Sequence, residues 1–126
     1  MLKHAPILIV EDEPFIALEL KATIEEAGGR VVGPVGSVSA ALALLQTCTI
    51  AAAVLDVQLS DRDVTPVAEA LVARGVPLVF QSARSLPPNL QLRCPDAVVF
   101  EKPISAETLS ETLSALINGQ QPSALN

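Results

Sequence analysis

The ten residues AAVLDVQLSD, positions 52–61, decide how the rest of the chain is read. Ala52, Ala53, Val54 and Leu55 form a short apolar run of the kind that makes a buried strand, and the run ends in a carboxylate, Asp56, before a polar loop opens. In an open α/β sheet, ligands and chemistry collect at the carboxyl ends of the strands, where loops are free of packing duty and the strands hold their ends still. Each remaining segment can therefore be asked whether it converges on Asp56.

Working outward, short apolar runs alternate with amphipathic stretches of helical length, which is the pattern of βα repetition around a mostly parallel sheet. Five pairs are expected. The first strand spans Ile7 to Val10 and ends in Glu11, Asp12 and Glu13. Pro14 suits a first helical turn, and Phe15, Leu18, Ile24 and Ala27 recur at near-helical spacing until Gly28 and Gly29 stop the helix. The second strand, Val31 to Val35, has its end blurred by Gly33 and Pro34, and a helix follows from Ser37 or Ser39 to Gln46. After Asp56 come a loop over 60–63, a helix from Val64 to Ala73, and a fourth strand, Leu78 to Phe80, that ends in Gln81, Ser82 and Ala83.

Pro87, Pro88 and Pro95 break the pattern between 84 and 95, so the fourth helix is expected to be short, irregular or missing and its segment mobile. The fifth strand, Ala97 to Phe100, leads into Glu101, Lys102 and Pro103. A last helix from about Ser105 to Ile117 turns Leu109, Leu113, Leu116 and Ile117 inward. One domain over 1–119 results, with a polar tail over 120–126 expected to be disordered.

Composition narrows the function classes. The 126 residues are 50% hydrophobic, enough for a single core but not for a second domain. Trp and Tyr are absent and only Phe15, Phe80 and Phe100 are aromatic, so a base-stacking platform is not expected. The net charge is -6 with Lys and Arg scattered, which argues against direct contact with nucleic acid or an acidic membrane. No apolar run is long enough to span a bilayer and no signal-peptide pattern opens the chain, so a cytoplasmic location is expected. Cys48 and Cys94 lack metal-ligand spacing and read as free thiols.

The strand ends carry the chemistry. Glu11 and Asp12, Asp56, Ser82 and Lys102 all fall just beyond apolar runs and so meet on one edge of a parallel sheet. Three close carboxylates repel by up to about 4 kcal/mol per pair at an effective dielectric near 20, unless a cation sits among them. Oxygen-only donors describe Mg²⁺ better than zinc. A cation, an ammonium and a hydroxyl around one carboxylate suit phosphoryl transfer to Asp56, because the moving group spreads charge over its oxygens. Each residue also has a bland explanation: strand-end acids solubilise loops or cap helices, as Asp61, Asp63 and Glu13 are expected to do, and a lysine before a proline is often only solvated. Joint placement at four strand ends outweighs those separate explanations. His4 precedes the first strand and is given no catalytic role.

Four stretches in register, ILIVEDEP (7–14), VLDVQLSD (54–61), PLVFQSA (77–83) and FEKPI (100–104), resemble the receiver domain of two-component response regulators along nearly the whole chain. The resemblance implies a flavodoxin-like, doubly wound α/β fold with five parallel strands in the order 2-1-3-4-5. It implies Asp56 as phosphoacceptor, Glu11 and Asp12 as the acidic pair for Mg²⁺, Gln58 as a backbone carbonyl ligand, Ser82 as the switch hydroxyl and Lys102 as the phosphate-pairing lysine. The stretch PLVFQSARS is similar to the FATGUY subgroup, with its PFxFATGY motif and poorly formed fourth helix, at Pro77, Phe80 and Ala83. Ser82 stands for Thr, and Gln81 and Arg84 depart. Val99 stands where receivers commonly place Tyr or Phe, which argues against aromatic switching; Phe100 faces the opposite side of its strand and cannot replace it.

The expected function is a stand-alone response regulator that is not an enzyme in its own right. It takes a phosphoryl group from a phosphohistidine of a histidine kinase or phosphotransfer protein, and signals by protein binding, phosphorelay or as a phosphate sink. Phe15 and Leu18 on the first helix, with Pro103 and Ile104, are expected to face the kinase, and the protein is expected to be a monomer or weak homodimer. Two other classes compete. A haloacid-dehalogenase-type phosphatase would need a second Asp where Gln58 stands, and more chain for a cap. A receiver-like interaction module working without phosphorylation would tolerate Gln81, Arg84 and Val99 but gives no reason for Asp56 and Lys102.

Overall fold

The computed structural model describes residues 2–59, 61–83, 86–95 and 97–119. The tail 120–126 and part of the proline-rich segment, Arg84 and Ser85, lie outside them. Five strands and five helices alternate: β1 (Pro6–Val10), α1 (Pro14–Glu26), β2 (Arg30–Val35), α2 (Val38–Thr47), β3 (Ala52–Asp56), α3 (Thr65–Ala73), β4 (Leu78–Ser82), α4 (Pro88–Arg93), β5 (Val98–Glu101) and α5 (Ala106–Ile117). All strand pairs are parallel and the order across the sheet is β2-β1-β3-β4-β5. The doubly wound topology is the one expected, with boundaries within a residue or two.

The period of two along each strand divides the core into two layers. Ile7, Ile9, Val54, Val79 and Val98 pack with Leu20 and Ile24 of α1 and Leu109 and Leu113 of α5. Leu8, Val10, Leu55 and Phe80 pack on the other face with Leu45 of α2, Leu71 of α3 and Leu90 of α4. Central β3 is buried along its whole length, which is why its residues read as a continuous apolar run.

Helix starts follow local signals where the sequence supplies them. Ser37 and Ser105 accept hydrogen bonds from the third following N–H, at Ala40 and Thr108, at 3.2 and 3.1 Å. Glu13 is the N-cap of α1, accepting from the Phe15 N–H, with Pro14 in the first turn. β2 continues through Gly33 and Pro34 to Val35, the end expected for it. The strand passes through Gly33 with a register shift against β1, at φ +95°, where an added Cβ would meet Val35 N at 2.9 Å. The fourth helix is short, six residues with no side-chain cap.

Candidate functional site

The same period of two decides which side chains meet at the carboxyl edge of the sheet. Glu11 continues the parity of Ile7 and Ile9, Asp56 that of Ala52 and Val54, Gln81 that of Val79, and Lys102 that of Val98 and Phe100. All four therefore stand on the α1/α5 side of neighbouring strands, whereas Ser82 takes the parity of Phe80. Sequence reasoning placed Glu11, Asp12, Asp56, Ser82 and Lys102 at one edge, and the structure brings them there.

Glu11 and Asp56 are buried, at 3% and 6% exposure, and Lys102 bridges them, with Nζ 2.9 Å from Glu11 Oε1 and 3.2 Å from Asp56 Oδ2. The second Glu11 oxygen, Oε2, accepts from the Glu13 N–H at 3.0 Å. Asp12 is exposed, yet one oxygen from each of Glu11, Asp12 and Asp56 lies within 4.8 Å of the others. Three carboxylates face one ammonium. Burial first, and then the nearby Glu11 carboxylate, push the Asp56 carboxyl up to about 6, against the opposing pull of Lys102. Burial alone would lower the Lys102 ammonium, but Glu11 and Asp56 together outweigh it and hold the pKa raised. The charge balance and the all-oxygen donor set fit a hard divalent cation such as Mg²⁺, with Glu11, Asp12 and Asp56 as the side chains that would hold it.

Gln58 lines a cleft of about 570 Å³ with Asp56, Ser82, Ala83, Pro87 and Lys102. Its loop is pinned in three places. Gln58 bridges Asp63, Asp63 Oδ1 accepts from the Thr65 N–H at 2.9 Å, and Asp61 accepts from the Val38 and Ser39 N–H groups at 3.0 and 3.4 Å. Asp61 thus caps α2 from across the molecule, and the Val38 N–H above all holds its carboxyl below the usual range.

The expected kinase-facing residues divide in two. Pro103 and Ile104 line a groove of about 130 Å³ beside α1, with Ile16, Leu20, Gln81 and Leu109, directly next to Lys102. Phe15 and Leu18 do not line it; they are 77% and 61% exposed on the same helix. Val99 is 40% exposed, while Phe100 packs toward α1 and α5, so the two do face opposite sides of β5.

Neither a protein-family model nor a curated protein matches the chain. Solved structures do. SdrG from Sphingomonas melonis Fr1 is 40% identical over 93% of this chain and 99% of its own, with a TM-score of 0.78. The chain belongs to the receiver domains of response regulators. Two more distant receivers share the fold. The receiver domain of a sensor histidine kinase from Pseudomonas aeruginosa PAO1, solved with a magnesium ion in its active-site cleft, is 24% identical, covering 90% of this chain and 98% of its own at a TM-score of 0.77. A CheY-like receiver domain protein from Methanospirillum hungatei JF-1 is 22% identical, covering 95% and 97%, at 0.83.

One residue of this receiver's site went unassigned by sequence reasoning. Gln81 registered only as a departure from a motif, although it is 1% exposed and its Nε2 donates to Glu11 Oε1 at 3.1 Å. The available signal was its parity with Val79, which places it between Asp56 and Lys102. Asp61 caps a helix, one of the two roles expected of it, but that helix begins 23 residues earlier and nothing local points there.

Proposed function

We propose that this receiver accepts a phosphoryl group on Asp56 from a phosphohistidine of a histidine kinase or phosphotransfer protein. A carboxylate oxygen of Asp56 forms the new bond to phosphorus in line with the leaving histidine nitrogen. The P–N bond breaks, its electron pair stays on that nitrogen, and the imidazole takes up a proton. A Mg²⁺ ion held by Glu11, Asp12, Asp56 and the Gln58 backbone carbonyl would offset negative charge on the phosphoryl oxygens. Lys102, already within ion-pair reach of Asp56, exchanges its carboxylate partners for a phosphoryl oxygen, and Ser82 reads the acyl phosphate from the β4 side. Receiver domains as a class work with such kinases and phosphotransfer proteins, and the α1 groove beside Lys102 is the docking surface this reading assigns.

The observation that carries the proposal is the Lys102 ammonium bridging buried Asp56 and Glu11, with Asp12 completing an oxygen cluster. The output in this reading is binding of a protein target, or relay or draining of phosphate in the cytoplasm. The short α4 together with Pro77, Phe80 and Ala83 supports a place near the FATGUY subgroup. Incubation with acetyl phosphate or phosphoramidate and Mg²⁺, read by intact mass, tests the proposal. One added phosphoryl group, lost in Asp56→Asn and without Mg²⁺, is expected. No gain from small donors or from phosphorylated kinases would favour an interaction module that works without phosphorylation.

A further inference from the structure

Gln81 is the member of the sheet-edge row to which phosphoryl transfer assigns no task. It follows three apolar residues, Leu78, Val79 and Phe80, on a fully buried strand, where a primary amide is costly unless it is paired. The register sets it between Asp56 on β3 and Phe100 on β5, and its Nε2 reaches Glu11 Oε1, the same oxygen that takes Lys102 Nζ. Glu11 thus has three donors from three parts of the chain: Gln81, Lys102 and the Glu13 N–H.

These donors are not equivalent. In the proposed transfer Lys102 redirects its ammonium from the carboxylates toward the phosphoryl group, and the Glu13 N–H holds only the other oxygen. Among the described residues Gln81 is the donor left on Oε1. Being uncharged, it orients the carboxylate without opposing a cation. We infer that Gln81 is a positioning residue that acts through Glu11, holding that carboxylate in its metal-binding pose and so setting the affinity for Mg²⁺. The inference rests on the proposed function of the site.

Gln81→Met keeps the side-chain length and removes the donor. Titration calorimetry of Mg²⁺ into the full chain gives the readout, with Tm measured alongside in EDTA. The Met variant is expected to bind Mg²⁺ about tenfold more weakly, the range for residues that orient metal ligands. Its labelling by acetyl phosphate falls at limiting Mg²⁺ and recovers as Mg²⁺ is raised. Gln81→Asn, which keeps the amide but draws it back by one methylene, is measured on the same scale should the Met variant fold poorly, and is also expected to lose affinity. Mg²⁺ binding within twofold of native in the folded variants, with or without a lower Tm, would reduce Gln81 to a structural residue and overturn the inference alone. A native protein that takes up neither Mg²⁺ nor phosphate would overturn it together with the site reading.

Discussion

Phe80 and Gln81 are neighbours on β4, both buried, and they serve different halves of the molecule. Phe80 points into the layer of α2, α3 and α4, where it belongs to an apolar cluster with Leu45, Leu71 and Leu90. Gln81 points the other way, into the row Glu11, Asp56, Lys102. One step along a strand separates the packing that holds the sheet from the groups that give its edge a chemistry. The difference teaches that burial alone does not say what a residue is for: the same depletion of solvent stabilises an apolar side chain and raises the pKa of a carboxylate.

The largest expected effect lies on the packing side. Phe80→Ala removes a fully buried ring and should cost about 3–5 kcal/mol in urea unfolding, a large part of a small domain's stability. A loss below about 1 kcal/mol would mean that the layer repacks freely and that the contrast between the two faces is weak.

On the chemical side the sign reverses. The Asp56 carboxyl rises from 3.8 to about 6 on folding, so the native state binds the proton more tightly than the unfolded chain. Its contribution to stability is complete below about 3.8 and is lost as pH rises through about 6. Charged Asp56 therefore destabilises the metal-free protein at pH 8. Asp56→Asn should raise stability there by up to about 2 kcal/mol, less than the full shift because the cleft is open to water and Lys102 compensates. The gain should shrink toward zero by pH 4 and be smaller with Mg²⁺ present. Equal stability of the two proteins at pH 8 in EDTA would break the comparison.

A third contrast runs along the α1 side of the site. Phe15 and Leu18 are exposed while Ile16 and Leu20 face the groove, so a docking kinase would cover both sets. Phe15→Asp should slow phosphotransfer from a cognate kinase by about tenfold, the equivalent of 1.4 kcal/mol in the encounter. Transfer at the native rate would remove Phe15 from the surface.

The smallest effect belongs to α4. It has no side-chain cap and is fastened to α3 by Asn89 Nδ2 donating to Thr65 Oγ1 at 2.9 Å, by a half-exposed Arg93–Glu69 ion pair, and by Leu90 beneath. The twelve-residue α5 has a Ser105 cap and two fully buried leucines. Arg93→Ala should cost under about 1 kcal/mol and less at high salt. Amide exchange over 88–93 should be faster than in the middle of α5; equal protection would contradict the expected mobility of this segment.

The fold was legible because the strands are apolar runs with polar ends, and because α1, α2 and α5 carry their own caps and inner faces. Asp56, Glu11, Asp12 and Lys102 were legible for a related reason: a parallel sheet gathers all its strand ends on one edge. What stayed hidden depends on register or on distance along the chain. The role of Gln81 follows only once β3, β4 and β5 are aligned, and Asp61 joins a loop to a helix 23 residues earlier. β2 ends at Val35 as expected although Gly33 and Pro34 blur that end, and what the residues did not announce is the register shift against β1 that carries the strand past them.

The most direct test of the central claim is chemical trapping of the phosphorylated residue. An acyl phosphate on aspartate is reduced by borohydride to homoserine, which peptide mass mapping locates after labelling with a phosphodonor and Mg²⁺. Homoserine at position 56, and no such product when Mg²⁺ is omitted, is the predicted result. Reduction at another acid, such as Asp12 or Asp61, or none despite a stable mass gain, would contradict Asp56 as the acceptor.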